Sequence, residues 1–235
     1  RVRDILFPVI LPLSGMKIRY EVKVVNACEL IPNKPVIYAC NHSQFSDIPI
    51  ATRAIGKRSY TLLGKQKLYL VDRIFFNLLG AIWVDRKNKK ETAEVKNKIL
   101  RYLNRGQSVL WFPEGTWNLT ENFLMLPMKW GIIEVAHKAG GQIVPMAIRY
   151  DRKNKKCQVK FSSPLSGEQL ADSRNGIQEL RDVMAELRWE LMEEYSEVTE
   201  WKNIYKSDFE KEKEEIIREY PPLDWEYEES VIYEK

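Results

Sequence analysis

Apolar and polar positions divide the chain into short strands and amphipathic helices. Residues 17–25 (Lys-Ile-Arg-Tyr-Glu-Val-Lys-Val-Val) partly alternate, the period-two pattern of a strand with one wet face. Val-Ile-Tyr-Ala-Cys at 36–40 follows Pro35 and is apolar throughout, as a strand buried on both faces must be. Ser46 or Asp47 is positioned to cap a helix running through Ala54. A short strand is predicted over 60–63, a helix over 68–79, and a strand over 82–84 after Gly80. Residues 91–104 read as a charged amphipathic helix that ends near Gly106. Ser-Val-Leu-Trp-Phe at 108–112 is a second buried strand, stopped by Pro113. A helix over 129–138 ends at Gly140-Gly141, and strands follow over 143–149 and 157–161. Ser166-x-x-Gln169 fits a capping box. The next helix carries Ile177, Leu180, Val183, Met184, Leu187 and Leu191 at helical spacing. From Glu200 the chain is charged and aromatic, and Pro221-Pro222 divides a predicted helix from a predicted extended arm.

Strands alternating with helices predict an α/β fold: a mixed, mostly parallel sheet covered by helices on both faces, with a helical, acidic C-terminal extension. The 235 residues are 44% hydrophobic and 30% charged, which excludes disordered and collagen-like classes. Net charge is only +4, but it is unevenly spread. Residues 1–189 hold 31 Lys/Arg against 17 Asp/Glu, a net +14, and residues 190–235 hold 6 against 16, a net −10. A basic body suits an anionic partner: a phosphate ester, an anionic membrane face or nucleic acid. The basic runs at 87–90 and 152–156 belong to no nucleic-acid recognition module, so nucleic acid is set aside. Three cysteines without a Cys-x-x-Cys pair signal neither a metal site nor a disulfide framework, and fit reduced thiols in a cytosolic setting. The uncharged run from Ile5 to Met16 is broken by Pro8 and Pro12 and is shorter than the roughly 20 apolar residues of a spanning helix.

Four segments carry candidate chemistry. His42 follows the apolar strand at 36–40, with Asp47 five residues on. Strand C-terminal ends are where α/β folds set their sites. A neutral imidazole can take a hydroxyl proton near pH 7, and a carboxylate can fix its tautomer and balance its charge. From spacing alone, a lone histidine is more often structural. No Gly-x-Ser-x-Gly nucleophile is present, so the hydroxyl would be a substrate's. Phe112-Pro-Glu-Gly-Thr116 also follows a buried strand, with Glu114 displayed, Thr116 beside it, and Gly115 free to let a ligand approach. Arg86 leaves the strand after Gly80 and is of the type that grips phosphate bidentately. Lys129 opens a helix, where an anion is also favoured. His137 lies within a helix and reads as structural.

Taken together, Asn41-His42-x4-Asp47, Gly80-x5-Arg86, Phe112-Pro-Glu-Gly-Thr116 and Ile143-Val-Pro145 stand in the order and spacing of the four blocks of the glycerolipid acyltransferases. The chain resembles the 1-acylglycerol-3-phosphate (lysophosphatidic acid) acyltransferases over about residues 35–165, including Lys65-Gln-Lys-Leu68 and Lys129-x-Gly131. One departure stands out: where the family usually has Arg after the Thr of the third block, this chain has Trp117.

The resemblance implies transfer of a fatty acyl group from a thioester, acyl-CoA or acyl-carrier protein, to the free hydroxyl of lysophosphatidate. It implies no cofactor, no metal and no covalent acyl-enzyme. His42 would be general base and Asp47 its partner. Arg86 would hold the phosphate with Thr116 and Lys129 beside it, and Glu114 and Gly115 would position the glycerol. Val144 and Pro145 would shape the acyl-donor region. Residues 1–165 would form the catalytic core, with 1–16 as a membrane-interface segment, and 166–235 would pack on it as C-terminal helices and acidic tail. The expected place is the cytoplasmic face of a membrane, with the protein peripheral or anchored by a segment outside this chain. Residues 5–13 and 68–84 are the candidates to enter the interface, with core packing an equal alternative for 68–84. Trp117 keeps two alternatives in view: another lysophospholipid as acceptor, or a non-catalytic peripheral lipid-binding module.

Overall fold

The apolar run at 36–40 becomes the middle of the sheet. In a computed structural model, which describes residues 20–121, 124–195, 206–220 and 223–233, strand β2 (Val36–Cys40) is buried at every position. It lies between β5 (Ser108–Trp111) and β6 (Gln142–Asp151), parallel to both. Beyond β5 come β3 (Ser59–Gly64) and β4 (Ala81–Val84), also parallel. Beyond β6 the direction reverses at β7 (Lys156–Phe161), which carries β1 (Glu21–Val24) on its outer edge. A two-residue β8 (Leu165–Ser166) pairs with β6. The order β1-β7-β6-β2-β5-β3-β4 makes the predicted mixed, mostly parallel sheet.

Helices cover both faces. On one, α1 (Asp47–Ile55) and α2 (Leu70–Leu79) set Ile48, Ile50, Phe75, Phe76 and Leu79 against Tyr38, Cys40 and Val144 of the sheet. On the other, α3 (Lys89–Leu103), α4 (Gly131–Lys138) and α5 (Ser173–Tyr195) close over Ile37, Ala39, Val109 and Ile143. Asn88 caps α3 by accepting a hydrogen bond from Glu91 N–H. The Ser166–Gln169 capping box forms, but it caps a 3-10 turn at Gly167–Leu170 rather than the long helix, which begins at Ser173. The expected segment at 1–16 and the first residues of the 17–25 strand lie outside the described residues. All three cysteines are free thiols.

The acidic tail departs from expectation. Helix α6 (Lys206–Glu219) is followed not by an extended arm but by a helix, α7 (Trp225–Tyr233). An isolated nine-residue helix is marginal in water, and α7 is stabilised by docking: Leu223, Glu228 and Val231 are buried against the body. Helix α6 is fixed by Arg152, whose guanidinium meets Glu212, Glu215 and Glu219. Tyr220, after α6, stacks on Phe45 at 4.2 Å and donates to Asp72 Oδ2.

Candidate active site

The parallel strands β2, β5, β3 and β4 deliver their C-terminal ends to one edge of the sheet, and the four sequence segments meet there. Asn41, fully buried, extends β2 with side-chain bonds to both Ile148 N–H (2.7 Å) and Ile148 C=O (3.1 Å) of β6. His42 is thereby placed at the strand's mouth.

Asp47 is completely buried and accepts four hydrogen bonds. Its Oδ2 faces His42 Nδ1 at 2.8 Å and accepts Ser43 N–H at 2.6 Å and Gln44 N–H at 2.9 Å. Its Oδ1 accepts Tyr150 O–H at 2.5 Å. Burial and the Asp47 charge hold the Tyr150 phenol well above its ordinary pKa, so it stays protonated and donates. Ser46 sits at the N-cap of α1 but makes no side-chain cap bond; Asp47 ties down the preceding turn instead. A carboxylate can only accept, so Nδ1 carries the proton and Nε2 is left as the basic nitrogen. The imidazole stacks on Phe112 at 4.2 Å and meets the edge of Trp117 at 5.6 Å.

Glu114 stands behind the histidine rather than in the cavity. It is 2% exposed, and its two oxygens accept His42 N–H (3.0 Å) and Leu126 N–H (2.8 Å). Burial pushes its carboxyl above the ordinary range, against the pull of these N–H groups and of Arg188. Its observed work is to hold the backbone at His42 and Leu126. Gly115 adopts φ +78°, which suits glycine, and its carbonyl accepts from Arg86 Nη1 at 2.6 Å. Gly64 matters for a different reason: a Cβ there would lie 2.7 Å from Arg86 Nε, so only glycine leaves room for the guanidinium.

Arg86, Thr116 and Lys129 converge on a partner from the far end of the chain. Arg86 makes a two-pronged bond to Glu228 of α7 (2.7 and 2.5 Å), and Thr116 Oγ1 donates to the same carboxylate at 2.6 Å. Lys129 Nζ reaches Val231 C=O at 3.4 Å. Val144 and Pro145 lie within β6, buried and paired with Tyr38 and Ala39, and line neither of the cavities at the site. The first cavity, between His42, Phe112, Arg86 and Glu228, encloses only about 50 Å³. It adjoins a second of about 500 Å³ at Gly64, Arg86 and Gly115. The second has an apolar floor of Leu62, Val84, Val95 and Trp111 and a basic rim of Lys87, Lys89, Lys96 and Lys129. Among the described residues no cluster of His, Cys, Asp or Glu could hold a metal ion.

The sequence profile of the family described as Acyltransferase matches residues 21–149, over half of the chain and all of the site apart from Tyr150 and the C-terminal helices. The chain belongs to this acyltransferase family. It is 31% identical over 181 residues to the 1-acyl-sn-glycerol-3-phosphate acyltransferase of Saccharomyces cerevisiae, covering 71% of this chain and 59% of that one. It is 30% identical over 132 residues to a 1-acyl-sn-glycerol-3-phosphate acyltransferase of Chlamydomonas reinhardtii, covering 55% and 39%. The chain therefore spans about three fifths of the first of these relatives and about two fifths of the second. The crystal structure of a 1-acyl-sn-glycerophosphate acyltransferase from Thermotoga maritima shares the fold, with TM-score 0.66, 16% identity and 83% of each chain covered.

Within this acyltransferase-family chain, the sequence alone missed Tyr150, Gly64 and Glu228. Tyr150 is 103 positions from Asp47, and Glu228 is 142 from Arg86. No local spacing could join them. Trp117, which stands in for the family's usual Arg, is 2% exposed and anchors a small apolar cluster with Leu119, Ile216, Tyr220 and Leu223. A side chain that could bind phosphate is exchanged for one that seats the C-terminal helices.

Proposed function

We propose that the chain transfers a fatty acyl group from an acyl thioester to the free hydroxyl of lysophosphatidate, giving phosphatidate. The observation that carries this is His42 held on a fully buried Asp47 beside an Arg86–Thr116 anion site. In the reaction the acceptor hydroxyl oxygen attacks the thioester carbonyl while His42 Nε2 takes its proton. The tetrahedral intermediate then collapses, the C–S bond breaks, and the thiolate leaves with that proton. Arg86, Thr116 and Lys129 hold the acceptor's phosphate. The larger cavity suits the donor: its apolar floor fits the acyl chain, and its lysine rim fits the phosphates of coenzyme A or an acidic carrier protein.

The test follows free thiol release from palmitoyl-CoA and from an acyl-carrier-protein thioester. Lysophosphatidate, glycerol 3-phosphate and lysophosphatidylcholine are offered one at a time. Release is expected with lysophosphatidate. Release with another acceptor only would move the substrate, and none with any pair would favour a lipid-binding module instead.

Peripheral attachment to a membrane belongs to the same reading. Among the described residues no helix is long and apolar enough to cross a bilayer. Helix α2 nevertheless turns Leu70, Ile74 and Leu78 to solvent at 73%, 52% and 44% exposure, with Val71 at 71%, while Phe76 of the same helix lines the site. Leu70→Asp or Val71→Asp should each weaken sedimentation with anionic vesicles about tenfold or more, since burying such a side chain is worth about 1.5–3 kcal/mol. Unchanged sedimentation of both variants would remove α2 as the contact.

A further inference from the structure

Helix α7 occupies the place that the proposed acceptor needs. Glu228 is 1% exposed and presents both carboxylate oxygens to the two terminal nitrogens of Arg86, the fork geometry in which arginine also receives phosphate. Thr116 Oγ1 donates to the same carboxylate. The residues around Glu228 cover the remaining cations: the Tyr227 ring lies 4.9 Å from the Arg86 guanidinium and 5.0 Å from Lys87 Nζ, and Ser230 accepts from Lys87. With α7 in place about 50 Å³ remains beside His42, against the roughly 300–1,000 Å³ of sites that hold small molecules. Arg86 Nε is buried against Gly64 and, among the described residues, has no hydrogen-bond partner, so Glu228 is met by the two terminal nitrogens alone.

We propose that Glu228 fills the acceptor's head-group subsite, and that α7 must withdraw from Arg86 before an anionic acceptor can bind. This inference rests on the acceptor reading above. The exchange is anion for anion. Removing Glu228 alone would leave a buried guanidinium uncompensated, whereas an arriving phosphate monoester restores its partners. Apparent affinity for acceptor is then scaled by the fraction of molecules with α7 withdrawn. Trp117 and its cluster, which seat Tyr220 and Leu223 just ahead of α7, hold that fraction low.

The experiment uses the full chain with Cys28→Ser and a reporter, Val231→Cys, at a position 3% exposed. Reaction of this thiol with a maleimide is timed alone and with glycerol 3-phosphate, lysophosphatidate or lysophosphatidylcholine micelles. Without the reporter, acceptor KM is measured by thiol release for Glu228→Gln and for Tyr227→Ala, which loosens α7 without changing charge. We expect lysophosphatidate to speed labelling and lysophosphatidylcholine not to. We expect both variants to lower KM for lysophosphatidate about tenfold, the ratio by which the open fraction rises. Labelling that ignores lysophosphatidate while acyl transfer proceeds would overturn the proposal. So would a raised KM in Tyr227→Ala, or an acceptor with a cationic head group whose turnover needs Glu228, because Glu228 would then be a substrate ligand. If labelling responds to lysophosphatidate but no acceptor supports thiol release, the displaceable helix stands and the acyl-transfer reading fails.

Discussion

Acyl transfer by His42→Ala should fall by about 10²–10⁴-fold, the usual worth of a positioned general base, with little loss of stability. The small structural effect follows from the hydrogen bonds around Asp47. Without the imidazole, Asp47 still accepts from Ser43 N–H, Gln44 N–H and Tyr150 O–H, so no buried charge is left alone. Asp47→Asn should cost at least as much activity, because a carboxamide whose oxygen stays on Ser43 and Gln44 N–H has no charge to balance the imidazolium; in a serine protease triad the same change costs about 10⁴-fold. Tyr150→Phe, which removes one of four donors to Asp47, should have the smallest effect of the three. Initial rates of thiol release, with urea midpoints measured in parallel, separate loss of chemistry from loss of fold. Full activity in His42→Ala would end its assignment as base.

Glu114→Gln should be the most destabilising conservative change at the site, by about 1–3 kcal/mol. The carboxylate accepts from two backbone N–H groups on opposite sides, and glutamine can accept from only one while turning its NH₂ toward the other. Activity should fall with it, since one of those N–H groups belongs to His42. Burial raises this carboxyl in the folded state above its ordinary value of 4.5. The folded protein therefore holds the proton more tightly than the unfolded chain does. The stability that Glu114 contributes is complete below about 4.5 and is lost as pH rises through the folded value. Glutamine cannot titrate, so the stability difference between wild type and Glu114→Gln should shrink as pH rises through that window. Urea unfolding between acid and neutral pH measures it, and a difference independent of pH would contradict the direction of the shift.

Much of this was legible in the chain because local patterns fix local structure. The apolar runs at 36–40 and 108–112 form the buried centre of the sheet, and the interval of five between His42 and Asp47 spans one tight turn into α1. The boundaries that moved were ones that neighbours decide. β6 runs over Gln142–Asp151, past the predicted end at 149, because β7 pairs with it as far as Lys156. The 129–138 helix begins at Gly131, because Lys129 N–H is drawn away to Pro113 C=O.

By itself, then, the sequence determined the α/β class, the order of the strands and helices from β1 to β7, and the pair His42 and Asp47, since each depends on residues only a few positions apart. It also showed an acidic tail and a tryptophan in the place of an arginine, but gave no reason for either. Only the tertiary structure decided what these do. Contacts across more than a hundred positions place Tyr150 on Asp47 and Glu228 on Arg86, and turn Trp117 into a seat for the C-terminal helices. Such contacts leave no periodicity to read. They are selected by burial and charge pairing when the whole chain is packed, so a carboxylate that reads as one more solvated charge in the tail becomes the counter-ion of a buried guanidinium.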